Sequence, residues 1–153
     1  MRSVLLNSTA LPAMTPSAIQ NVRDFEDKLL EKPQIDLKMR HVIHAGIYSR
    51  TLFMPKGLFM TGAPVKIPTL LTIQGDVMVW IGQEAVRYTG YAVLPAAAHR
   101  KQMFRTFKDT HITMAFATSA KTVAEAEREF TDEADRLASR RDGAHNETVI
   151  TGD

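Results

Sequence analysis

The chain has no cysteine among its 153 residues, which excludes a disulfide framework and a cysteine-based zinc site. It also has no apolar run near the ~18 residues that a membrane-spanning helix needs. The first 14 residues hold one arginine and only a short apolar run, too little for a signal peptide. We therefore expect a mature N-terminus and a cytoplasmic protein that does not enter a membrane.

The motifs of several enzyme classes are missing as well. The sequence contains no Gly-x-Ser-x-Gly or Ser-x-x-Lys nucleophile motif, no P-loop and no Gly-x-Gly-x-x-Gly. Between residues 40 and 108 the only acidic residues are Asp76 and Glu84, both beside predicted turns. They do not form a carboxylate pair for acid–base catalysis. We therefore assign no catalytic residue and no cofactor.

The scarcity of acidic residues makes the charge distribution uneven. Residues 40–108 hold nine Lys and Arg against two acidic residues, whereas residues 109–153 hold five against ten. A basic middle segment indicates an anionic ligand. The alternative is that the acidic C-terminal segment folds back and pairs with the basic sheet.

Two periodicities divide the chain. Thr15 and Pro16 are typical of a helix start, and the apolar spacing predicts a helix to about Lys32. From Met39 the period is two, with short Gly and Pro turns, which favours a sandwich or barrel. We expect strands at about 41–44, 47–53, 58–61, 68–74, 76–81, 84–88, 91–94, 101–107 and 110–118.

A second helix follows the strands. It opens with a capping box at Thr122 and Glu125. Its narrow apolar stripe, which would dock on the barrel or on a partner subunit, comprises Val123, Ala126, Phe130, Ala134 and Leu137. The expected organisation is an N-terminal arm and helix (1–38), a β-barrel (39–118), a C-terminal helix (119–141) and a flexible tail (142–153).

One stretch carries a resemblance to a known family. The residues concerned are His44, Gly46, Tyr48 and Arg50, then Met54-Pro55-Lys56-Gly57 and Thr61-Gly62, and later Gly75. This pattern resembles small cupin-like proteins encoded in phage and prophage genomes, over residues 40–118. The resemblance implies a mainly β fold, a single cupin-like jelly-roll barrel with an N-terminal and a C-terminal α-helix.

The chain departs from the metal-binding members of that family. Those proteins place two His and one Glu after the Thr-Gly turn and a further His on a later strand. Here the stretch from Ala63 to Leu71 has no His, carboxylate or Cys. The remaining alternative for a metal set is His44, His99 and His111, which lie on different predicted strands. We expect no metal.

The candidate ligand-binding residues lie on the predicted barrel. Tyr48 and Arg50 are two apart and share a strand face, so Arg50 needs an acidic partner or an anionic ligand. The structural alternatives are an ion pair with Asp76 or Glu84, or an arginine that faces water. His99 and Arg100 follow a loop of small residues at a strand entrance. Behind these four we place His44, His111 and Arg105.

Three functions follow as hypotheses. The first is metal-independent binding of a small anionic ligand, possibly a nucleotide, in a phage protein that sequesters a host immune signal. The second is a cupin enzyme, either metal-dependent through the three histidines or a metal-free isomerase or lyase. The third is an oligomeric structural or interaction protein. Nucleic-acid binding is disfavoured because no recognition helix or stacking motif is present.

Overall fold

The computed structural model describes residues 4–5 and 9–152, and of residues 4 and 5 only the backbone. The helices are α1 (Pro16–Leu30) and α2 (Val123–Phe130), followed by two 3-10 turns, Ala134–Arg136 and Ala138–Arg140. The strands are β1 (Val4–Leu5), β2 (Lys38–His44), β3 (Ile47–Met54), β4 (Phe59–Val65), β5 (Thr69–Ile81), β6 (Glu84–Ala96), β7 (Arg100–Thr106), β8 (Thr110–Ala117) and β9 (His145–Ile150). No helix in the described part is long and apolar enough to cross a bilayer.

The strands form a curled sheet that closes over itself as a jelly roll. Its main order is β1-β6-β5-β8-β3-β2-β9, and β4 joins through β7, which pairs with β5. The first half of β5, residues 70–74, pairs with β8, whereas residues 77–79 pair with β7. The long β5–β6 hairpin therefore passes from one face of the barrel to the other, and the expected mainly β jelly-roll barrel is confirmed.

Two glycines mark the point where this hairpin changes sheets. Gly75 and Gly90 are paired across the hairpin. Gly75 has φ +147°, and a Cβ there would lie 2.3 Å from Thr110 Oγ1 and 2.7 Å from Thr110 Cα. Only glycine allows the backbones to approach this closely. The sequence pattern predicted turns at Gly75 and Gly90, but each lies inside one continuous strand, so four predicted strands are in fact two.

The C-terminal region also differs from its prediction. Residues 145–150, expected within a flexible tail, form β9, which pairs in parallel with β2 along its length. The expected helix over 119–141 ends as an α-helix at Phe130, and Thr131 is extended. Residues 1–3 and 6–8 of the expected N-terminal arm and residue 153 of the expected tail lie outside the described residues.

Both helices begin where their caps predicted. Thr15 accepts a hydrogen bond from the Ala18 amide, and Thr122 accepts one from the Glu125 amide. The Glu125 carboxylate accepts from the Lys121 amide, one residue before the position that a regular capping box uses. Helix α1 packs its buried face on the outside of β7, where Met103 belongs to the same apolar cluster.

The apolar stripe of the C-terminal helix docks on the barrel of its own chain. The stripe and the barrel residues share one buried cluster, whose members include Ala126, Phe130 and Leu137 from the stripe and Tyr48 and Phe116 from the sheet. Since the barrel covers the stripe, the stripe does not support an oligomer. Formation of a homo-oligomer, which we expect from the sequence, stays a prediction.

Candidate functional site

A cavity of about 620 Å³ opens into the barrel. Its inner wall is aliphatic and aromatic, from Leu52, Leu58, Leu71, Phe104, Ile112 and Met114. Its exposed lining residues come from the end of α1 and from parts of segments 32–37 and 136–141, so the cavity reaches the surface between these segments. Successive residues of β3 and β8 alternate between the inward and the outward face of the barrel. Arg50, Leu52, Ile112 and Met114 are on the inward faces and therefore line the cavity.

Arg50 enters this cavity from β3, on the same face as Tyr48, as predicted. Its Nη1 donates to Glu127 at 3.0 Å and its Nη2 to Ser139 at 3.2 Å. The guanidinium also lies 5.6 Å from the centre of the Phe130 ring. The predicted structural partners, Asp76 or Glu84, were wrong: Asp76 pairs with Arg87, and the acidic C-terminal segment supplies the partner.

Glu127 is the centre of a buried ionic cluster. Its side chain is 3% exposed and accepts from Arg50, Ser139 and Arg140, the last at 2.9 Å. Burial opposes its ionisation, but the hydrogen bonds from these three side chains hold the pKa of Glu127 below its usual value. The alternative interpretation of the charge distribution, in which the acidic C-terminal segment folds back onto the basic sheet, is therefore present at this cluster.

Tyr48 is fully buried behind Arg50 and belongs to a polar chain. Its hydroxyl lies 2.7 Å from His41 Nδ1, and His41 Nε2 lies 2.8 Å from Asn146 Oδ1. Asn146 Nδ2 donates to the Ser139 carbonyl, which identifies Oδ1 as an acceptor. Nε2 of His41 must then carry the proton, and Nδ1 accepts from Tyr48. Burial lowers the pKa of His41 and raises that of Tyr48.

A second ionic group contributes to the cavity lining. Lys101, only 1% exposed, donates to Glu26 Oε2 at 2.9 Å and to the Gly62 carbonyl at 2.8 Å. Glu26 also accepts from the Thr61 hydroxyl at 2.6 Å. Sequence reasoning missed this group and His41. A signal for Glu26 was present, because it is a carboxylate within the apolar stripe of α1.

His99 and Arg100 do not line the cavity. Arg100 is 1% exposed, and its guanidinium donates to the carbonyls of Pro12 and Trp80 and to Gln102 Oε1. Burial lowers the pKa of Arg100 to about 10. His99 is exposed with φ +64°. The structure therefore uses Arg100 to tie the N-terminal segment to β5 and β7.

The three secondary candidates lie on outer surfaces. His44 is exposed and hydrogen-bonds the Thr151 hydroxyl. His111 lies on the outward face of β8, with its ring 5.1 Å from that of Phe53. Arg105 is exposed and lies over the rings of Phe59 and Phe107. Of the seven candidates, only Arg50 lines the cavity.

The alternative metal set is not assembled. Among residues 4–5 and 9–152, no three or more His, Cys, Asp or Glu side chains are placed to hold a metal ion. His44 is at the end of β2, His99 precedes β7, and His111 is on the outside of β8. The metal-dependent mechanism through these three histidines is therefore wrong.

The known proteins that this chain is found to resemble are solved structures. No family model matches the chain, and no curated protein does. A cupin-2 domain protein of Shewanella frigidimarina is similar at 7% identity over 61% of this chain and 91% of that one, with a TM-score of 0.44. A cupin superfamily protein of Desulfitobacterium hafniense matches at 13% identity, 60% and 86% coverage, and a TM-score of 0.47. The cupin domain of Schizosaccharomyces pombe Cnp3 matches at 18% identity, 69% and 80% coverage, and a TM-score of 0.46.

These likenesses concern the fold. The strand order is that of a mainly β jelly-roll barrel, and the first two similar structures are described as cupin proteins. At such identities nothing about ligand or activity transfers from them. Phage origin, which the sequence resemblance implied, stays a prediction.

Proposed function

We propose that the protein binds a small, largely apolar molecule carrying an anionic group, without a metal. The observation that supports this is the cavity itself. Its volume of about 620 Å³ lies within the range of small-molecule sites, and its inner wall is apolar with a few polar groups near the opening. Burial of apolar ligand surface would supply most of the affinity.

The charges around the cavity support an anionic rather than a cationic ligand. The lining side chains include more cations than anions: Lys32, Arg50, Lys101, Arg136 and Arg141 against Glu26 and Glu133. Counting Glu127, which is bonded to Arg50, an excess of positive charge remains. In a cleft with low-dielectric walls this excess attracts anions.

The apolar wall disfavours the nucleotide that the sequence suggested. A nucleotide has a polar base, sugar and phosphates, each of which needs hydrogen-bonding partners when it is buried. The described inner wall offers mainly hydrocarbon. Capture of a nucleotide immune signal stays a prediction of the resemblance, and an amphipathic anion fits the cavity better.

Calorimetric titration with dodecanoate in the presence of EDTA tests the proposal. Met114→Trp should abolish binding because Met114 lies on the cavity wall, and the indole would fill the space. Thr113→Trp is the matched control, since Thr113 lies on the outer face of the same strand. Saturable binding by the wild type and the control alone supports the proposal. No binding by any of the three proteins, or equal binding by all of them, rejects it.

A further inference from the structure

One cation of the cavity wall, Arg50, is already neutralised. Its guanidinium is paired with Glu127 at 3.0 Å, bonded to Ser139 and lies over Phe130. An anion placed beside Arg50 would therefore lie close to the buried carboxylate of Glu127. It would be repelled by that charge, or would displace it and leave it buried without its partner, which is costly.

The cations at the entrance differ from Arg50 in being exposed and in having no close carboxylate partner among the described residues. Lys32 and Arg141 are exposed, and no carboxylate of the described residues lies within ion-pair distance of either. Arg136 is 56% exposed, and its carboxylate contacts are long, at 3.8 Å to Glu26 and 3.5 Å to Glu133. The available positive charge is therefore at the surface end of the cavity.

The inner end is correspondingly apolar. Leu71, Phe104 and Ile112 close it and are each at most 4% exposed. At the rim, Leu30 and Ile35 are large apolar side chains that are about half exposed. The apolar surface thus runs from rim to base, and the buried lining cations Arg50 and Lys101 are each paired with a carboxylate.

We infer that the ligand is a single-chain amphiphile, an alkyl carboxylate or alkyl phosphate, bound with its chain inside the barrel and its head group at the entrance. Lys32, Arg136 and Arg141 contact the head group, and Leu71, Phe104 and Ile112 contact the end of the chain. This inference rests on the proposed function and adds the ligand class and its orientation.

The affinity series tests the ligand class. From hexanoate to decanoate, each added methylene should tighten binding about fourfold until the cavity is filled. Dodecanoate and dodecyl phosphate should bind more tightly than dodecanol and dodecyltrimethylammonium at low salt, and the difference should shrink at high salt. A binding affinity that does not change with chain length contradicts the inference.

Entrance variants test the head-group contacts. Removing Lys32 and Arg141 together, by alanine substitution, should weaken dodecanoate binding about threefold or more and leave dodecanol binding unchanged. The control is Lys121→Ala, an exposed charge that does not line the cavity. An equal loss for the acid and the alcohol, or no loss for either, would overturn the head-group assignment.

The single tryptophan reports the orientation. Trp80 lies 6.4 Å from the ring of Phe59, which lines the cavity and is 37% exposed at its entrance. Dodecanoate brominated beside the carboxylate should quench Trp80 fluorescence more than dodecanoate brominated at the chain end. The reverse order, at unchanged affinity, overturns the orientation while the proposed function stands. If neither compound binds, the proposed function fails.

Discussion

Removing the charge of Glu127 should lower stability and raise anion affinity at the same time. Glu127 is 3% exposed and accepts hydrogen bonds from Arg50, Ser139 and Arg140. Glu127→Gln keeps the size of the side chain but leaves Arg50 without its counter-charge. Loss of one partner from a buried pair costs about 3–5 kcal/mol. Because Arg50 is 12% exposed and borders the cavity, we expect the lower end, about 3 kcal/mol.

Urea unfolding at pH 7 measures this loss. For an m-value of about 2 kcal/mol per molar, the midpoint should fall by about 1.5 M. The freed Arg50 should at the same time bind short carboxylates, so hexanoate should bind at least about threefold more tightly. Glu125→Gln on the same helix is the matched control, because its carboxylate is exposed and a glutamine there can still accept from the Lys121 amide. The change should therefore stay within about 0.5 kcal/mol. A midpoint like that of the control, or unchanged hexanoate affinity, would refute the reasoning.

Three further predictions concern the barrel itself. Gly75→Ala should lower the free energy of unfolding by more than about 4 kcal/mol, or prevent folding, because the new Cβ would lie 2.7 Å from the Thr110 backbone. Thermal unfolding or the yield of soluble protein measures this. A loss of stability below about 1 kcal/mol would contradict it. Burial lowers the pKa of His41, so the folded state binds fewer protons than the unfolded state and stability should fall as the pH drops below about 6.5. Urea midpoints at pH 7 and pH 5 should show this drop in the wild type and a smaller one in His41→Gln, whereas parallel curves would exclude His41 as its source. Arg100→Lys should lower the free energy of unfolding by about 1–3 kcal/mol. It should also speed hydrogen exchange at the Leu11 and Ala97 amides, which hydrogen-bond between the N-terminal segment and the end of β6. Unchanged exchange at these amides would show that Arg100 does not hold this segment.

Local sequence signals predicted the parts of the fold that depend on neighbouring residues. The caps at Thr15 and Thr122, the alternation of β3 and β8 and the stripe of the C-terminal helix all depend on spacing within one element. The prediction that Tyr48 and Arg50 share an inward face is confirmed for the same reason.

Long-range pairing explains what the sequence pattern missed. Gly75 resembles a turn residue, yet its conformation is set by the close approach of Thr110, which is 35 residues away. The tail after Gly143 looks polar and unstructured, but it pairs with the edge of β2 as β9. A parallel pair between segments a hundred residues apart leaves no local signature.

In the candidate site, too, local spacing predicts some features, whereas long-range contacts determine the others. Arg50 was found because an arginine on an inward strand face requires a partner, but the partner, Glu127, lies on a helix 77 residues later. Arg100 was a candidate ligand-binding residue because it is basic and follows a loop of small side chains. Its burial against the Pro12 and Trp80 carbonyls depends on an N-terminal crossing that spacing does not reveal.

The central claim is that the barrel interior holds the apolar part of a ligand. The most direct test is NMR of the methyl-labelled protein with dodecanoate, with intermolecular NOEs recorded from the chain protons. The account predicts NOEs to the methyl groups of Leu71, Ile112 and Met114 on the cavity wall, and none to Val93, which is 45% exposed on the outer face of β6. NOEs confined to outer-face methyl groups such as those of Val93, or no saturable shifts at the cavity methyl groups, would contradict it.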